Sequence, residues 1–166
     1  DFTGLVSVES IKNSVRDNTS LIIVTHASNV VGTINPITEI GLFAKSRGIP
    51  FMVDAAQTAG VVDIDVVRDN ISLLAFAGHK MLFGPTGTGG LYVSSDINLE
   101  PFLYGGTGSV SESPVQPDFL PDRFESGTPN LPGIVGLRAG IEYVMNKSKH
   151  IYQNEMNIIK YLYNSL

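Results

Sequence analysis

Apolar and polar positions along this chain fall into blocks whose period switches between that of a helix and that of a buried strand. Val8, Ile11 and Val15 share one side of a short predicted helix, which Ser7 is placed to cap and whose first turn carries Glu9. Leu21 to Val24 is an unbroken apolar run, the pattern of a strand buried on both faces. Asn35 and Pro36 then read as the N-cap and first residue of a second helix. Ile37, Ile40 and Ala44 line its inner face, Lys45 and Arg47 suit its last turn, and Gly48 suits the C′ position beyond it. Further strands are predicted over 51–53, 73–77 and 90–93. Two more helices follow: one over 133–144 with Ile134, Leu137 and Ile141 inward, and one over 151–166 with Ile158, Leu162 and Leu166 on a single stripe.

Strands separated by helical segments imply βαβ units and an α/β fold, in which helices cover both faces of a mostly parallel sheet in three αβα layers. Ligands of such sheets collect at the carboxyl ends of the strands. Asn29, Asp54 and Lys80 each fall just past a predicted strand end, so the topology gathers them at one edge. From Tyr104 to Pro132 the composition shifts to Gly, Ser, Thr and Pro, while Phe119, Arg123, Phe124 and Glu125 predict that this long loop is ordered and packed.

Composition narrows the field. The 166 residues are 43% hydrophobic with a positive mean hydropathy, which excludes a disordered chain. The net charge of −5 comes without a basic tract, so no nucleic-acid or anionic-membrane partner is indicated. No apolar run is long enough to span a bilayer, and a soluble, cytoplasmic protein is expected. There is no cysteine, hence no disulfide or thiolate metal ligand, and His26, His79 and His150 lack paired spacing, so no metal site is expected. The chain opens at Asp1 and stops at Leu166 inside an amphipathic pattern without a C-cap, which reads as a piece of a longer protein.

Two strand ends carry the chemistry. Asp54 closes one in Val53-Asp54-Ala55-Ala56-Gln57, and Lys80 follows another in Ala77-Gly78-His79-Lys80. Pyridoxal 5′-phosphate (PLP) needs such a pair: a carboxylate to keep its ring nitrogen protonated, and an amine to form the resting Schiff base. Partial burial on a Gly-flanked turn would free the Lys80 amine for imine formation, and Gln57 adds an amide donor suited to the phenolic oxygen. His79 is placed to bind the phosphate or pack on the ring, with a purely structural role open beside these. Asn29 suits a substrate carboxylate or the cofactor, or else a turn.

The segment Gly84-Pro85-Thr86-Gly87-Thr88-Gly89-Gly90 has neither Walker A order nor dinucleotide spacing, and reads as a tight turn into the Leu91 strand. Gly105-Gly106-Thr107-Gly108-Ser109 places hydroxyls on a loop that could reach a phosphate. Asp63 and Asp65 alternate along an extended segment and read as a solvated strand edge rather than an acid/base pair.

Taken as a set, THASNVVGTINPITEIG, VDAAQTAG, AFAGHKMLFGPTGTGGLYV, YGGTGS and RFESGTPNLPGIVGLRAGIEYV resemble class V aminotransferases. These are the fold-type I PLP enzymes that include cysteine desulfurases and selenocysteine lyases. The resemblance runs from Thr25 to about Val144. It implies that residues 1–166 are part of a PLP-binding large domain, without its N-terminal segment and C-terminal small domain. It further implies Lys80 as the Schiff-base lysine, Asp54 at the pyridinium nitrogen and Gln57 at the phenolic oxygen. His79 would lie near the phosphate and Asn29 would face cofactor or substrate. Thr107, with Ser109 as second candidate, would reach the phosphate held by the other subunit of a homodimer.

The implied reaction removes sulfur or selenium from cysteine or selenocysteine to leave alanine, with a sulfur-acceptor protein as possible partner. Transamination, another lyase reaction, or a non-catalytic domain of the same fold are the alternatives. Two departures from the family pattern stand out. Ala77 sits where relatives usually carry Ser or Thr before Gly-His-Lys. The nucleophilic cysteine and the carboxylate-binding arginine of relatives are expected outside these residues, so the chain alone is expected to be inactive.

Overall fold

The computed structural model describes residues 3–166. Its first helix, α1 (Val8–Ser14), starts where Ser7 Oγ accepts the Ser10 amide at 2.9 Å, as predicted for an N-cap. Strand β1 (Ile22–Thr25) leads through a hairpin-like loop to α2 (Ile37–Ser46), and then come β2 (Phe51–Asp54), β3 (Leu73–Ala77) and β4 (Gly89–Val93). The four strands form one open mixed sheet in the order β1-β2-β3-β4, parallel through β3 and antiparallel at β4. The carboxyl ends of β1, β2 and β3 therefore share one edge, as expected from the sequence.

The core lies between α2 and one face of the sheet. Ile22, Val24, Phe51 and Val53 from the strands meet Ile37, Ile40 and Ala44 from the helix, and Val8 and Ile11 of α1 pack against this cluster. Gly48, at φ +64°, ends α2 as predicted. Asn35 does not cap it. Its Oδ1 accepts the Val6 amide and its Nδ2 donates to Thr25 O, both at 2.8 Å, so the side chain ties the chain before α1 to the end of β1 and Pro36 precedes the helix instead.

The expectation of a two-sided buried first strand is also corrected. Leu21 lies outside β1, and Ile23 is 60% exposed while Ile22 and Val24 are 7% exposed each. α1 and α2 cover one face of this edge strand, and among the described residues the face of Ile23 is left open.

The two predicted C-terminal helices are one, α3 (Leu131–Ser165), capped by Asn130 Oδ1 accepting Gly133 N. Nor do Ile134 and Ile141 define its inner stripe. The buried positions are Gly133, Leu137, Gly140 and Val144, and Ile134 is half exposed. The reason is contact distance: a Cβ at Gly140 would strike Leu82 O, and one at Gly136 would meet Pro85 Cγ. The helix lays its glycines on the loop between β3 and β4, and Leu137 and Val144 fill the flanks. Ile158, Leu162 and Leu166 do share a stripe, but it is exposed.

Between β2 and β3 the chain runs through turns rather than an extended strand edge. Asp63 and Asp65 are solvated, as expected: Asp63 pairs with Arg68 at 2.6 Å, and Asp65 Oδ1 accepts the amides of Val67 and Arg68. The organising residue, Asp69, carries no local signal in the sequence. Asp69 is fully buried; its carboxylate takes the Arg68 guanidinium at 2.9 and 2.8 Å, Thr38 Oγ1 at 2.7 Å and Asp65 N at 3.0 Å. It ties these turns to the first turn of α2. No helix among the described residues is long and apolar enough to cross a membrane, and they contain no cluster of metal-ligating side chains.

Candidate active site

β2 and β3 end side by side at the carboxyl edge. Asp54, the last residue of β2, pairs in register with Thr25 of β1 and Ala75 of β3. Its Oδ1 accepts Ala56 N at 2.9 Å, an Asx turn that fixes the carboxylate at the strand end. The following turn is held to β3 by Ala55 N donating to Ala75 O at 2.8 Å, and wound by Thr58 N and Ala59 N donating to Ala55 O. Gln57 rides on that turn, partly buried.

From Ala77 the chain enters a glycine loop that closes on itself. Gly78 N donates to Thr88 O and Gly84 N donates to Gly78 O, each at 2.8 Å, while Phe83 N donates to Lys80 O at 3.0 Å. Phe83 holds φ at +54°, a left-handed conformation unusual for an aromatic residue, and its ring meets Tyr143 of α3 edge-on at 5.9 Å. Thr88 Oγ1 donates to Pro85 O at 2.6 Å, so the Gly84–Gly90 stretch is a tight turn into β4, as the sequence suggests. This loop presents His79 exposed and Lys80 partly buried.

Among the described residues, the Lys80 amine, the Gln57 amide, the His79 ring and Asp54 Oδ2 make no hydrogen bond or ion pair. These are polar atoms held on fixed turns at one edge with their bonding capacity unspent. An amine, a carboxylate oxygen and an amide form the donor and acceptor set that PLP requires, so the residues fit that cofactor.

Three candidates lie on other loops. Asn29 is exposed at the tip of the loop after β1, where Ser28 N donates to Thr33 O and Ser28 Oγ accepts the amides of Val30 and Val31. Thr107 and Ser109 lie on the long loop before α3, around the 3₁₀ turn Gly108–Val110. Their hydroxyls are engaged within that loop, Thr107 Oγ1 to Val110 O and Ser113 O, and Ser109 Oγ to Asp122. Thr107 borders an open hollow of ≈ 490 Å³ with Gly106, Ser111 and Thr128. A hollow of ≈ 560 Å³ at the opposite edge of the sheet is unlike the candidate site: its Lys45 is bonded to Asn70 and its Ser94 to Asp96.

His26 was legible as more than a residue after a strand. The parity Ile22, Val24, His26 points it inward, and it is 3% exposed. Its Nδ1 and Thr58 Oγ1 share a hydrogen bond of 2.8 Å. Burial pushes the imidazole below its ordinary pKa, against a weaker opposing pull from the Asp69 carboxylate, and so favours the neutral ring.

The chain is similar in sequence and fold to known proteins. The family model described as "Aminotransferase class-V" matches residues 1–166. A protein of Methanothermobacter thermautotrophicus named "Probable cysteine desulfurase" is 41% identical over 148 residues, which are 87% of this chain and 37% of that protein. The apo structure of a cysteine desulfurase from Thermococcus onnurineus superimposes with a TM-score of 0.81 at 35% identity, covering 96% of this chain and 41% of that one. A structure of SspA in complex with cysteine gives a TM-score of 0.73 at 37% identity, covering 84% of this chain and 37% of that one. The chain thus spans little more than a third of the curated relative it matches.

Proposed function

The chain belongs to the class-V aminotransferase family, and from that premise we propose that the protein carrying it is a PLP-dependent enzyme of the cysteine desulfurase type. It would take sulfur from cysteine, or selenium from selenocysteine, and leave alanine. The observation that carries this reading is the adjacency of Asp54, at the end of β2, to β3, which leads into the closed loop bearing an unpaired Lys80. The cysteine held by the similar SspA structure supports the choice of substrate.

The bound cofactor supplies an electron sink for negative charge developing at the substrate's α-carbon. Asp54 Oδ2 would hold the proton on the ring nitrogen while Oδ1 stays anchored to Ala56 N. Gln57 would donate to the phenolic oxygen, and His79 would face the phosphate. The Lys80 amine would anchor the cofactor's carbonyl carbon, then carry the proton taken from the substrate's α-carbon. Asn29 would meet cofactor or substrate. Thr107, with Ser109 second, would give its hydroxyl to the phosphate bound by the other subunit, exchanging for it the bond it makes within its own loop here.

The accepting thiol must come from outside these residues, which contain no cysteine. Residues 1–166 are accordingly read as part of the large cofactor-binding domain of a cytoplasmic homodimer, with a sulfur-acceptor protein downstream. The test is incubation of the full-length protein with PLP, cysteine and a thiol reductant. Equal amounts of alanine and sulfide are expected. Keto-acid formation from an amino donor without sulfide would replace the desulfurase reading with an aminotransferase one, and no Lys80-linked cofactor would overturn the PLP reading itself.

A further inference from the structure

Both ends of the Asp54–Thr58 turn are gripped by one residue. His26 N donates to Asp54 O at 2.9 Å, and the His26 ring bonds Thr58 Oγ1 at 2.8 Å. A third bond, Asn35 N to His26 O at 2.8 Å, fixes His26 itself to the start of the α2 segment. Between the two grips lie the carboxylate and the amide assigned above to the cofactor ring, Asp54 and Gln57.

We propose that His26, acting through Thr58, is a positioning residue for Asp54 and Gln57: the buried imidazole sets the pitch of the turn that aims both at the cofactor ring. This rests on the PLP reading of the site. Thr58 is 1% exposed and His26 is 3% exposed, so neither hydroxyl nor ring nitrogen exchanges its partner for bulk water. Removing the hydroxyl leaves a buried ring nitrogen unsatisfied, and the turn can relieve that only by moving. Displacement by a fraction of an ångström is enough to lengthen hydrogen bonds from Asp54 and Gln57 to a rigid ring held at its other end by Lys80. The pair is not placed to touch substrate, so its effect reaches the chemistry only through the two residues it positions.

The experiment compares the full-length protein with its Thr58→Val, Thr58→Ala, Thr58→Ser, His26→Leu and double His26→Leu/Thr58→Val variants. PLP affinity, the pH midpoint of the bound cofactor's visible absorption, and the thermal midpoint of the cofactor-free protein are read for each. Thr58→Val is expected to weaken PLP binding roughly tenfold and to move the absorption midpoint, with Thr58→Ser restoring both. Thr58→Ala removes the hydroxyl without putting a methyl in its place and is expected to follow Val, which guards against a Val variant that fails to fold. The double variant is expected to be no worse than the poorer single one, because the two residues act as one unit. Wild-type affinity and absorption in variants whose thermal midpoint alone falls would overturn the proposal while leaving the PLP reading intact. A wild-type protein with no Lys80-dependent absorption would overturn that reading, and the proposal with it.

Discussion

Gly84 N donates to Gly78 O across 2.8 Å, closing into a ring the loop that carries Lys80. The glycine at 78 is required there because a Cβ would collide with Thr88 and Leu137. The lysine therefore sits on a frame fixed by the backbone bond of Gly78 to Thr88 and by the overlying α3, and its side chain is left without a partner among the described residues. That division suits an amine that must hold a cofactor and then carry a proton.

Replacing Lys80 tests the anchor directly. Lys80→Arg keeps a positive charge but removes both the nucleophilic amine and a group able to give up its proton. Activity of the full-length protein is expected to fall by about 10³-fold or more, and borohydride reduction should leave no pyridoxyl adduct on the peptide around residue 80. The thermal midpoint of the cofactor-free protein should hardly change, since the Lys80 side chain has no partner among the described residues. An adduct that persists at another lysine would displace Lys80 from its assigned role.

Asp54→Asn separates charge from shape. The amide can keep the Oδ1 bond to Ala56 N, so the turn should stand. It cannot hold a proton on the ring nitrogen by charge. Turnover is expected to drop on the order of 10²-fold or more, with a much smaller loss of cofactor affinity, read by steady-state kinetics beside an absorbance titration. Equal losses in both would mean that Asp54 serves binding rather than chemistry.

How far the sequence speaks is visible in particular residues. Val53-Asp54 and Ala77-Gly78-His79-Lys80 were legible because an apolar run ends at a residue whose chemistry has no business in a core, and parallel topology then gathers such ends at one edge. The inner stripe of α3 is not legible from its large apolar residues, because Ile134 is half exposed while Gly133 and Gly140 are buried. Gly133 and Gly140 lie inward through close backbone approach, which leaves no hydrophobic signal. Asn35 looked like a cap because Asn before Pro usually is one, and its long-range bonds to Val6 and Thr25 have no local signature. Asp69 was hidden for a similar reason: Thr38 reaches it from 31 residues away in the sequence.

Ala77 offers a gain-of-function test. It ends β3 opposite Gly89, immediately before the loop, where the family pattern places a hydroxyl. Ala77→Ser is expected to tighten PLP binding about tenfold through one added bond to a charged phosphate, measured by cofactor titration of the full-length protein. Unchanged affinity would show that the phosphate lies elsewhere than the end of β3.

Asp69 governs stability in acid. Its carboxylate is buried and is held well below the ordinary carboxylate value of 3.8, first by the Arg68 guanidinium and also by Thr38 and the Asp65 amide, against the opposing cost of burial. A lowered folded-state pKa means that the unfolded chain binds the proton more readily. The stabilisation is therefore fully present above the unfolded value and is lost as pH falls toward the folded one. Asp69→Ala should cost about 2–4 kcal/mol near neutral pH, because it strips Thr38 and the Asp65 amide of their acceptor and leaves Arg68 with only the exposed Asp63. At about pH 3 the gap between wild type and variant should narrow, since the wild-type carboxylate is by then losing its advantage. Denaturant unfolding of both proteins at the two pH values measures this, and a gap that stays constant would show that Asp69 contributes packing rather than charge.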